Sequence, residues 1–236
     1  GLSDQEKVFR IYSWITNHVS YDYDNLENTD NKTKYTAYGA LHDNKAVCQG
    51  FAALFYRMCM ENGINCRIVT GTAGNPAGSH AWNIVQVEDS YYYTDITWDC
   101  FVIEDAANSR QEKPGTLFFF LRNTLEDHTE SEDAKVTDGY AMATDSLSGL
   151  KAVAGTDGSV AVVHLDGTSL TSQEKLWYRI TVSGKGCSQS VTVTPAAVGL
   201  TDQVLLSETI PVHSFDTDGF CTKCDSGYQP AELRDG

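Results

Sequence analysis

The chain has 236 residues, which is enough for one large hydrophobic core or for two smaller domains. Its 32 acidic and 17 basic residues give a formal net charge of −15, and because no lysine- or arginine-rich stripe interrupts this acidity, we expect no nucleic-acid partner. It also contains no run of about 18 apolar residues, so no membrane span is predicted.

Helical periodicity marks two segments in the first third of the chain. Ser3 and Glu6 have the spacing of a capping box, and the apolar stripe that follows predicts a helix that ends near Val19. The polar stretch YDYDNLENTDNKTKY is interpreted as a loop. The segment CQGFAALFYRMCMENG predicts a second helix that begins at Cys48 and is capped by Gly63.

The pattern then changes to that of strands. The segments NCRIVTG, SHAWNIVQV and YYYTDITW are rich in β-branched and aromatic residues and predict three strands, the last two joined by a turn at residues 88–90. An apolar segment at residues 116–121 fits either a strand or a helix.

From residue 146 onward, short β-type segments alternate with glycine, aspartate and serine turns. They are SVAVVHL, LWYRITV, QSVTVTP and QVLLSETI. We therefore divide the chain into a domain of mixed helix and sheet at residues 1–145 and a small all-β domain at residues 146–236.

Three residues have the chemical character of a catalytic set. Cys48 stands at the start of a helix, where free backbone N–H groups and the helix dipole favour the thiolate, and Gly50 is interpreted as leaving room for a substrate backbone. His80, at the start of a strand behind a glycine-containing loop, is the candidate base. Asp95 would project from the same face as His80 if the intervening turn is tight and even-numbered, and could then orient it.

The motifs AVCQGFAALF, SHAWNIVQV and YYYTDITWD occur in this order and resemble the core of the transglutaminase-like superfamily, in particular its bacterial cysteine-peptidase type. The resemblance covers about residues 3–100. It implies an α+β, papain-like architecture in which the cysteine helix packs against an antiparallel sheet. It also implies that Cys48, His80 and Asp95 form a catalytic triad, and that the protein acts outside the cell or at the cell surface.

The chemistry implied by the resemblance is acyl transfer through a thioester on a protein or peptide substrate. Hydrolysis of a peptide bond would make the protein a cysteine protease, whereas attack on a glutamine side chain would lead to crosslinking or deamidation. The motifs serve both reactions. The alternative is a catalytically idle binding or adhesion module of the cell surface. No pattern in the sequence indicates the oligomeric state.

Further residues are candidates for supporting roles near this site. The backbone N–H of Cys48 is the first expected oxyanion donor, and Tyr38 is a candidate for the second. Trp82 fits either core packing or a substrate contact, and Asn83 is expected to satisfy backbone groups. His128 falls where some relatives have a histidine after the TWD motif.

The chain has seven cysteines, an odd number, so at least one thiol is unpaired unless a metal or a second chain takes it. A disulfide between Cys66 and Cys100 is one open pairing. Near the C-terminus, His213 with Cys221-x-x-Cys224 offers three ligands for a structural zinc ion, without an obvious fourth. A disulfide or two free thiols fit this segment equally well. Nothing else in the sequence requires a cofactor.

Overall fold

The computed structural model describes residues 1–103, 110–112, 115–184, 187–196, 200 and 203–224. The chain divides into two compact units, residues 1–149 and residues 150–236, whereas the sequence placed a boundary between residues 145 and 146. Among the described residues, no helix is both long and apolar enough to cross a lipid bilayer.

The first unit combines helices with strands that are antiparallel except for one short parallel pair, Ser20–Tyr21 with Lys45–Ala46. In chain order its elements are α1 (Asp4–His18), β1 (Ser20–Tyr21), α2 (Ala37–His42), β2 (Lys45–Ala46), α3 (Cys48–Glu61), β3 (Cys66–Ala73), β4 (Gly78–Val87), β5 (Ser90–Thr94), α4 (Ile96–Asp99), β6 (Phe101–Ile103), β7 (Arg110–Glu112) and β8 (His128–Glu130). The capping box predicted at Ser3 and Glu6 is confirmed at the start of α1.

The main sheet has four antiparallel strands in the order β5-β4-β3-β8. Helix α3 packs against it, and Asn83 of β4 ties the two together. The Asn83 side-chain amide donates to the backbone carbonyls of Ala52 in α3 and Arg67 in β3, both at 3.1 Å. The predicted α+β core, with the cysteine helix against an antiparallel sheet, is confirmed.

The segment at residues 116–121 is neither a strand nor a helix, although all of its residues are buried. It is an irregular chain with left-handed backbone at Leu117 and Leu121, where φ is 57° and 46°. Two of its backbone donors are satisfied by the buried carboxylate of Asp99, which accepts from the N–H groups of Phe118 at 2.7 Å and Phe119 at 3.0 Å. A side chain distant in sequence therefore replaces the regular hydrogen bonds that the apolar pattern suggested.

The third predicted strand is shorter than expected. Strand β5 ends at Thr94, and Asp95 is the N-cap of α4, where its side chain accepts a hydrogen bond from the Trp98 N–H at 3.2 Å. The ITW segment is thus helical rather than extended, because an aspartate cap offers the backbone a better partner than an unpaired strand end.

The second unit is β-rich in its described residues, as predicted. Its strands are β9 (Leu150–Ala154), β10 (Val160–His164), β11 (Tyr178–Ser183), β12 (Ser188–Pro195) and β13 (Leu206–Pro211). β9 and β10 form a hairpin, and β11, β12 and β13 form a three-stranded antiparallel sheet with β12 in the centre. β9 was not anticipated from the sequence; the other four strands overlap the predicted segments.

Candidate active site

Cys48 is the first residue of α3 and is half-buried. Because the first N–H groups of a helix have no intrahelical acceptor, the backbone N–H of Cys48 is free of the helix's own hydrogen-bond ladder. The preceding residue, Val47, is the N-cap, and its N–H donates to the carbonyl of Lys34 at 3.1 Å. The thiol is therefore placed by a helix start that a second segment fixes in position.

The lack of a side chain at Gly50 lets the Lys34 segment approach the helix, and it does not leave room for a substrate. A Cβ atom at Gly50 would lie 2.5 Å from the carbonyl oxygen of Lys34 and 2.6 Å from the Cβ of Ala46. The interpretation that Gly50 admits a substrate backbone is therefore wrong, because the protein's own chain occupies that space. Lys34 is itself buried, and its ammonium group donates to three backbone carbonyls, those of Asn25, Leu26 and Asn28.

His80 and Asp95 are brought together by the hairpin of β4 and β5. Val87 pairs with Ser90, so the turn has two residues, and Asn83 pairs with Thr94. If this register is continued by one residue, Asp95 stands opposite Trp82 of β4. His80 is two residues from Trp82 along β4, and its side chain is therefore on the same face of the sheet as that of Trp82. The His80 Nε2 atom lies 2.7 Å from Asp95 Oδ2. The diagonal relationship expected from the sequence is the one observed, although Asp95 stands just beyond the strand.

A second histidine joins the same carboxylate. His128 is the first residue of β8, which pairs with the end of β3, and its Nε2 atom lies 2.9 Å from Asp95 Oδ2. A single carboxylate oxygen therefore faces two imidazole rings. The sequence had singled out His128 only by its place after the TWD motif, because β8 is three residues long and has no strand pattern of its own.

Burial and charge act against each other in this group. Burial alone would raise the pKa of Asp95, but the charge of His80 and hydrogen bonds from His128 and His80 hold that pKa well below its usual range. Burial alone would lower the pKa of His80, but the charge and hydrogen bond of Asp95 and a hydrogen bond with the Cys48 side chain raise it to about 10. The imidazole of His80 thus interacts both with the buried carboxylate of Asp95 and with the thiol of Cys48.

The ligand-type atoms of His80, Asp95 and His128 also lie within 4.8 Å of one another, which is close enough to hold a metal ion. Both Nε2 atoms, however, point at the same carboxylate oxygen at hydrogen-bond distances of 2.7 and 2.9 Å. A cation would have to separate these contacts and take His80 from the thiol. The arrangement favours proton transfer over metal binding.

Tyr38 and Trp82, the two candidates for substrate contacts, differ in their surroundings. Tyr38 is 63% exposed, and its ring stacks on that of His42 with 5.1 Å between centroids. Trp82 is 2% exposed and packs edge-on against His128 at 5.0 Å. Trp82 and His128 also line a cavity of about 280 Å³ on this side of the sheet. Both substrate roles stay predictions.

The C-terminal candidates form a separate cluster in the second unit. His213, Cys221 and Cys224 lie together, and the structure adds Cys187, which sequence reasoning had missed. The signal that could have found it is the antiparallel pairing of β12 with β13, because Cys187 directly precedes β12 and His213 closely follows β13.

The disulfide left open between Cys66 and Cys100 is not formed. The thiol of Cys66 instead interacts with that of Cys59, a residue that lies in the core as predicted. This contact and burial raise the pKa of Cys59 far above the usual value for a thiol. Neither cysteine has the surroundings of a reactive nucleophile.

Residues 1–97 match the family model described as the transglutaminase-like superfamily. The kyphoscoliosis peptidase of Mus musculus is 31% identical over 139 residues, and that of Homo sapiens is 30% identical over the same length. Each match covers 53% of this chain and 21% of the relative, so the chain spans about a fifth of the length of the curated relatives it matches.

Among solved structures, one described as a TGase is 21% identical in sequence to this chain. The match covers 41% of this chain and 27% of the TGase chain, with a TM-score of 0.37. The residues that match the family model include Cys48, His80 and Asp95. The N-terminal part of this protein is therefore similar to the transglutaminase-like superfamily, as its three motifs indicated.

Proposed function

We propose that the first unit is a cysteine enzyme that transfers acyl groups from protein amides through a thioester. The observation that carries this proposal is the 2.7 Å contact between His80 and Asp95, whose side chain is 1% exposed, in a group where His80 also interacts with the thiol of Cys48. A buried carboxylate, an imidazole and a thiol at a helix start are the three parts that this chemistry needs.

In the proposed reaction, the Cys48 sulfur attacks the amide carbon and the carbonyl oxygen becomes an oxyanion. The Cys48 backbone N–H is placed to stabilise that charge. The imidazolium of His80 and the helix start together favour the thiolate before attack. When the carbon–nitrogen bond breaks, His80 gives its proton to the departing amine, and a thioester remains. Water or an amine then attacks the thioester and His80 takes the proton of this nucleophile. The carbon–sulfur bond breaks, which regenerates the Cys48 thiolate and the His80 imidazolium.

Asp95 orients His80 in this scheme. Because its Oδ2 atom accepts from His80 Nε2, the other ring nitrogen, Nδ1, is the one available to Cys48. Asp95 also stabilises the imidazolium form, in agreement with the raised pKa of His80. We assign Cys48 as nucleophile, His80 as general acid and base, and Asp95 as the positioning residue.

Hydrolysis is the favoured outcome for the thioester. The relatives that match over 139 residues are named peptidases, which supports water as the acceptor and a peptide bond as the donor. An amine acceptor, which would give a protein-glutamine acyltransferase, is the second candidate because the same thioester serves both reactions.

The test compares both reactions in one protein. The full chain is incubated with casein and a fluorescent primary amine, and peptide release and amine incorporation are measured together. We expect Cys48→Ala to abolish both, while Cys59→Ala, which removes a thiol from the same helix, retains them. Circular dichroism establishes that each variant is folded.

A second measurement does not depend on knowing the substrate. Iodoacetamide at neutral pH should alkylate Cys48 faster than free cysteine, and His80→Ala should slow this reaction by about tenfold or more. Activity that survives in Cys48→Ala would overturn the mechanism. An unreactive Cys48 in a folded protein would favour the binding or adhesion module instead.

A further inference from the structure

The second unit contains a compact group of four metal-ligand side chains, those of Cys187, His213, Cys221 and Cys224. Their ligand atoms all lie within 4.8 Å of one another. The sulfur atoms of Cys187 and Cys221 are 3.3 Å apart, and Cys224 Sγ lies 3.8 Å from His213 Nδ1. All three cysteines are free thiols.

The sheet brings the first two ligands together. Strands β12 and β13 pair antiparallel with Ser188 opposite Pro211, and the pairing continues one residue further, where the Val212 N–H donates to the Cys187 carbonyl at 2.8 Å. Cys187 and His213 therefore leave the same end of two neighbouring strands. Their proximity follows from the register of the sheet and not from sequence spacing.

A hairpin then returns the chain to this end of the sheet. The Thr222 N–H donates to the carbonyl of Ser214 at 2.7 Å, and the Asp216 N–H donates to that of Phe220 at 2.9 Å. The hairpin delivers Cys221 and Cys224 beside the first two ligands. The hairpin also positions the Cys221 sulfur as a ligand, because the Lys223 backbone N–H donates a hydrogen bond to it at 3.4 Å.

We propose that Cys187, His213, Cys221 and Cys224 bind one Zn²⁺ ion in a closed structural site. Three thiolates and one imidazole are an established ligand set for structural zinc. With zinc–sulfur bonds of about 2.3 Å and tetrahedral angles, two ligand sulfurs stand about 3.8 Å apart. The observed separations are close to this spacing and already bring all four ligands to one centre.

The four-ligand set also separates this site from its alternatives. Three thiols can form only one disulfide, which would leave one cysteine and His213 without a role. A catalytic zinc ion keeps one coordination position open for water, whereas the protein fills all four positions here. Cys187 supplies the fourth ligand that the sequence pattern lacked.

The ion would secure the end of the described chain to the sheet. Between residues 213 and 224, the described backbone forms only a small hairpin with one isolated bridge, from Phe215 to Cys221. Because such a site is not preformed in an unfolded chain, the free energy of zinc binding becomes free energy of folding for this segment. Removal of zinc should therefore release residues 213–224 from the sheet.

The experiment uses the full chain, purified with reductant and without chelator. Mass spectrometry of the metal content should find about one zinc per chain. Replacement of zinc by Co²⁺ should give thiolate-to-cobalt charge-transfer bands and the strong visible bands of a tetrahedral site. Chelation should make residues 213–224 sensitive to protease, and added zinc should restore their protection.

Variants then assign the ligands. Cys221→Ser should lose the zinc, and Cys187→Ser should weaken binding by about tenfold or more and abolish the tetrahedral cobalt spectrum. Cys48→Ala and His164→Gln, which remove a thiol and an imidazole outside the cluster, should retain one zinc.

Two results would overturn the proposal. The first is a reduced wild-type chain that takes up neither zinc nor cobalt, and the second is a native disulfide between any two of the three cysteines. A Cys187→Ser variant with unchanged affinity would refute the four-ligand assignment. Because uptake and protection are also measured on the wild-type chain, a variant that fails to fold does not decide the outcome.

Discussion

The Nε2 atom of His80 lies 2.7 Å from Oδ2 of Asp95, in a pair whose side chains are 9% and 1% exposed. In water such a contact would be weak, but here neither group can exchange its partner for solvent. The ion pair therefore determines the charge state of His80, and the pKa of the imidazole is raised to about 10.

We predict that His80 stays protonated through neutral pH. In a histidine-selective NMR titration of wild-type protein, its midpoint should lie well above the ordinary histidine pKa of about 6.5. Asp95→Asn removes the charge that raises this pKa, so the midpoint should fall toward 6.5 or below. The exposed Asp89 in the turn after β4 offers a matched control, and Asp89→Asn should leave the titration unchanged. A wild-type midpoint near 6.5 would contradict the ion pair.

The same shift has a consequence for stability. Since folding raises the pKa of His80, the pair stabilises the native state fully below the unfolded pKa near 6.5, and the stabilisation is lost as pH rises through about 10. In urea unfolding, the difference in free energy between wild type and Asp95→Asn should accordingly shrink between neutral pH and pH 10.

His128 should act through Asp95. It donates to the same carboxylate oxygen at 2.9 Å, and a hydrogen bond to a charged group contributes about 1.5–3 kcal/mol. His128→Phe removes a hydrogen bond that helps to hold the Asp95 carboxylate in place, so we expect it to slow iodoacetamide alkylation of Cys48 by about 10-fold or more. His128→Gln, which keeps a donor, should recover part of this loss. An alkylation rate equal to wild type in His128→Phe would show that the second histidine has no influence on the thiol.

Cys48 and His80 could be proposed for the triad from the sequence because each stands in a regular element with a local signature. Cys48 begins an apolar helix and His80 lies in a strand with clear β-type composition. The relation of His80 to Asp95 followed from the register of one hairpin with a two-residue turn. Local patterns of this kind are sufficient when the partners are only fifteen residues apart, as in the contact between His80 and Asp95.

Contacts between distant segments could not be predicted in the same way. His128 reaches Asp95 through a strand of three residues, too short to show alternation. Cys187 reaches His213 only because β12 and β13 pair in one particular register. Gly50 was interpreted as leaving room for a substrate because the sequence does not show that the backbone carbonyl of Lys34 lies against the helix at this position. In each case the missing information is which distant segments contact each other in the fold, and the hydrophobic periodicity of a single segment does not contain it.

Lys34 should be a structural cation on which the position of Cys48 depends. The side chain is buried, with 2% of the residue exposed, and its ammonium group donates to three backbone carbonyls. The backbone carbonyl of Lys34 accepts a hydrogen bond from the N–H of Val47. Lys34→Met keeps the apolar stem but leaves the three acceptors without this donor. We expect a loss of about 2 kcal/mol or more in the free energy of unfolding, measured with urea. Faster proteolysis within residues 22–33 should accompany it.

The exposed Lys32 provides the control for this change. Lys32→Met removes the same charge from the same segment, so it should change stability by less than about 0.5 kcal/mol. Equal effects of the two substitutions would mean that overall charge, and not the buried contacts of Lys34, is responsible.

Gly71 should control whether His128 reaches Asp95. Gly71 lies in β3 opposite Glu130 of β8, and a Cβ atom there would stand 2.0 Å from the carbonyl oxygen of Thr129. Because this obstacle is backbone, Gly71→Ala must push β8 away from β3 and take His128 with it. We expect the alkylation rate of Cys48 to fall to the level of His128→Phe, and the double variant to fall no further, since both changes remove the same contact.

Gly78→Ala is the matched control, because a Cβ atom at Gly78, in the adjacent strand, would meet no atom within 4 Å. If Gly71→Ala and His128→Phe instead multiplied their effects, the glycine would act on Cys48 by a route other than β8.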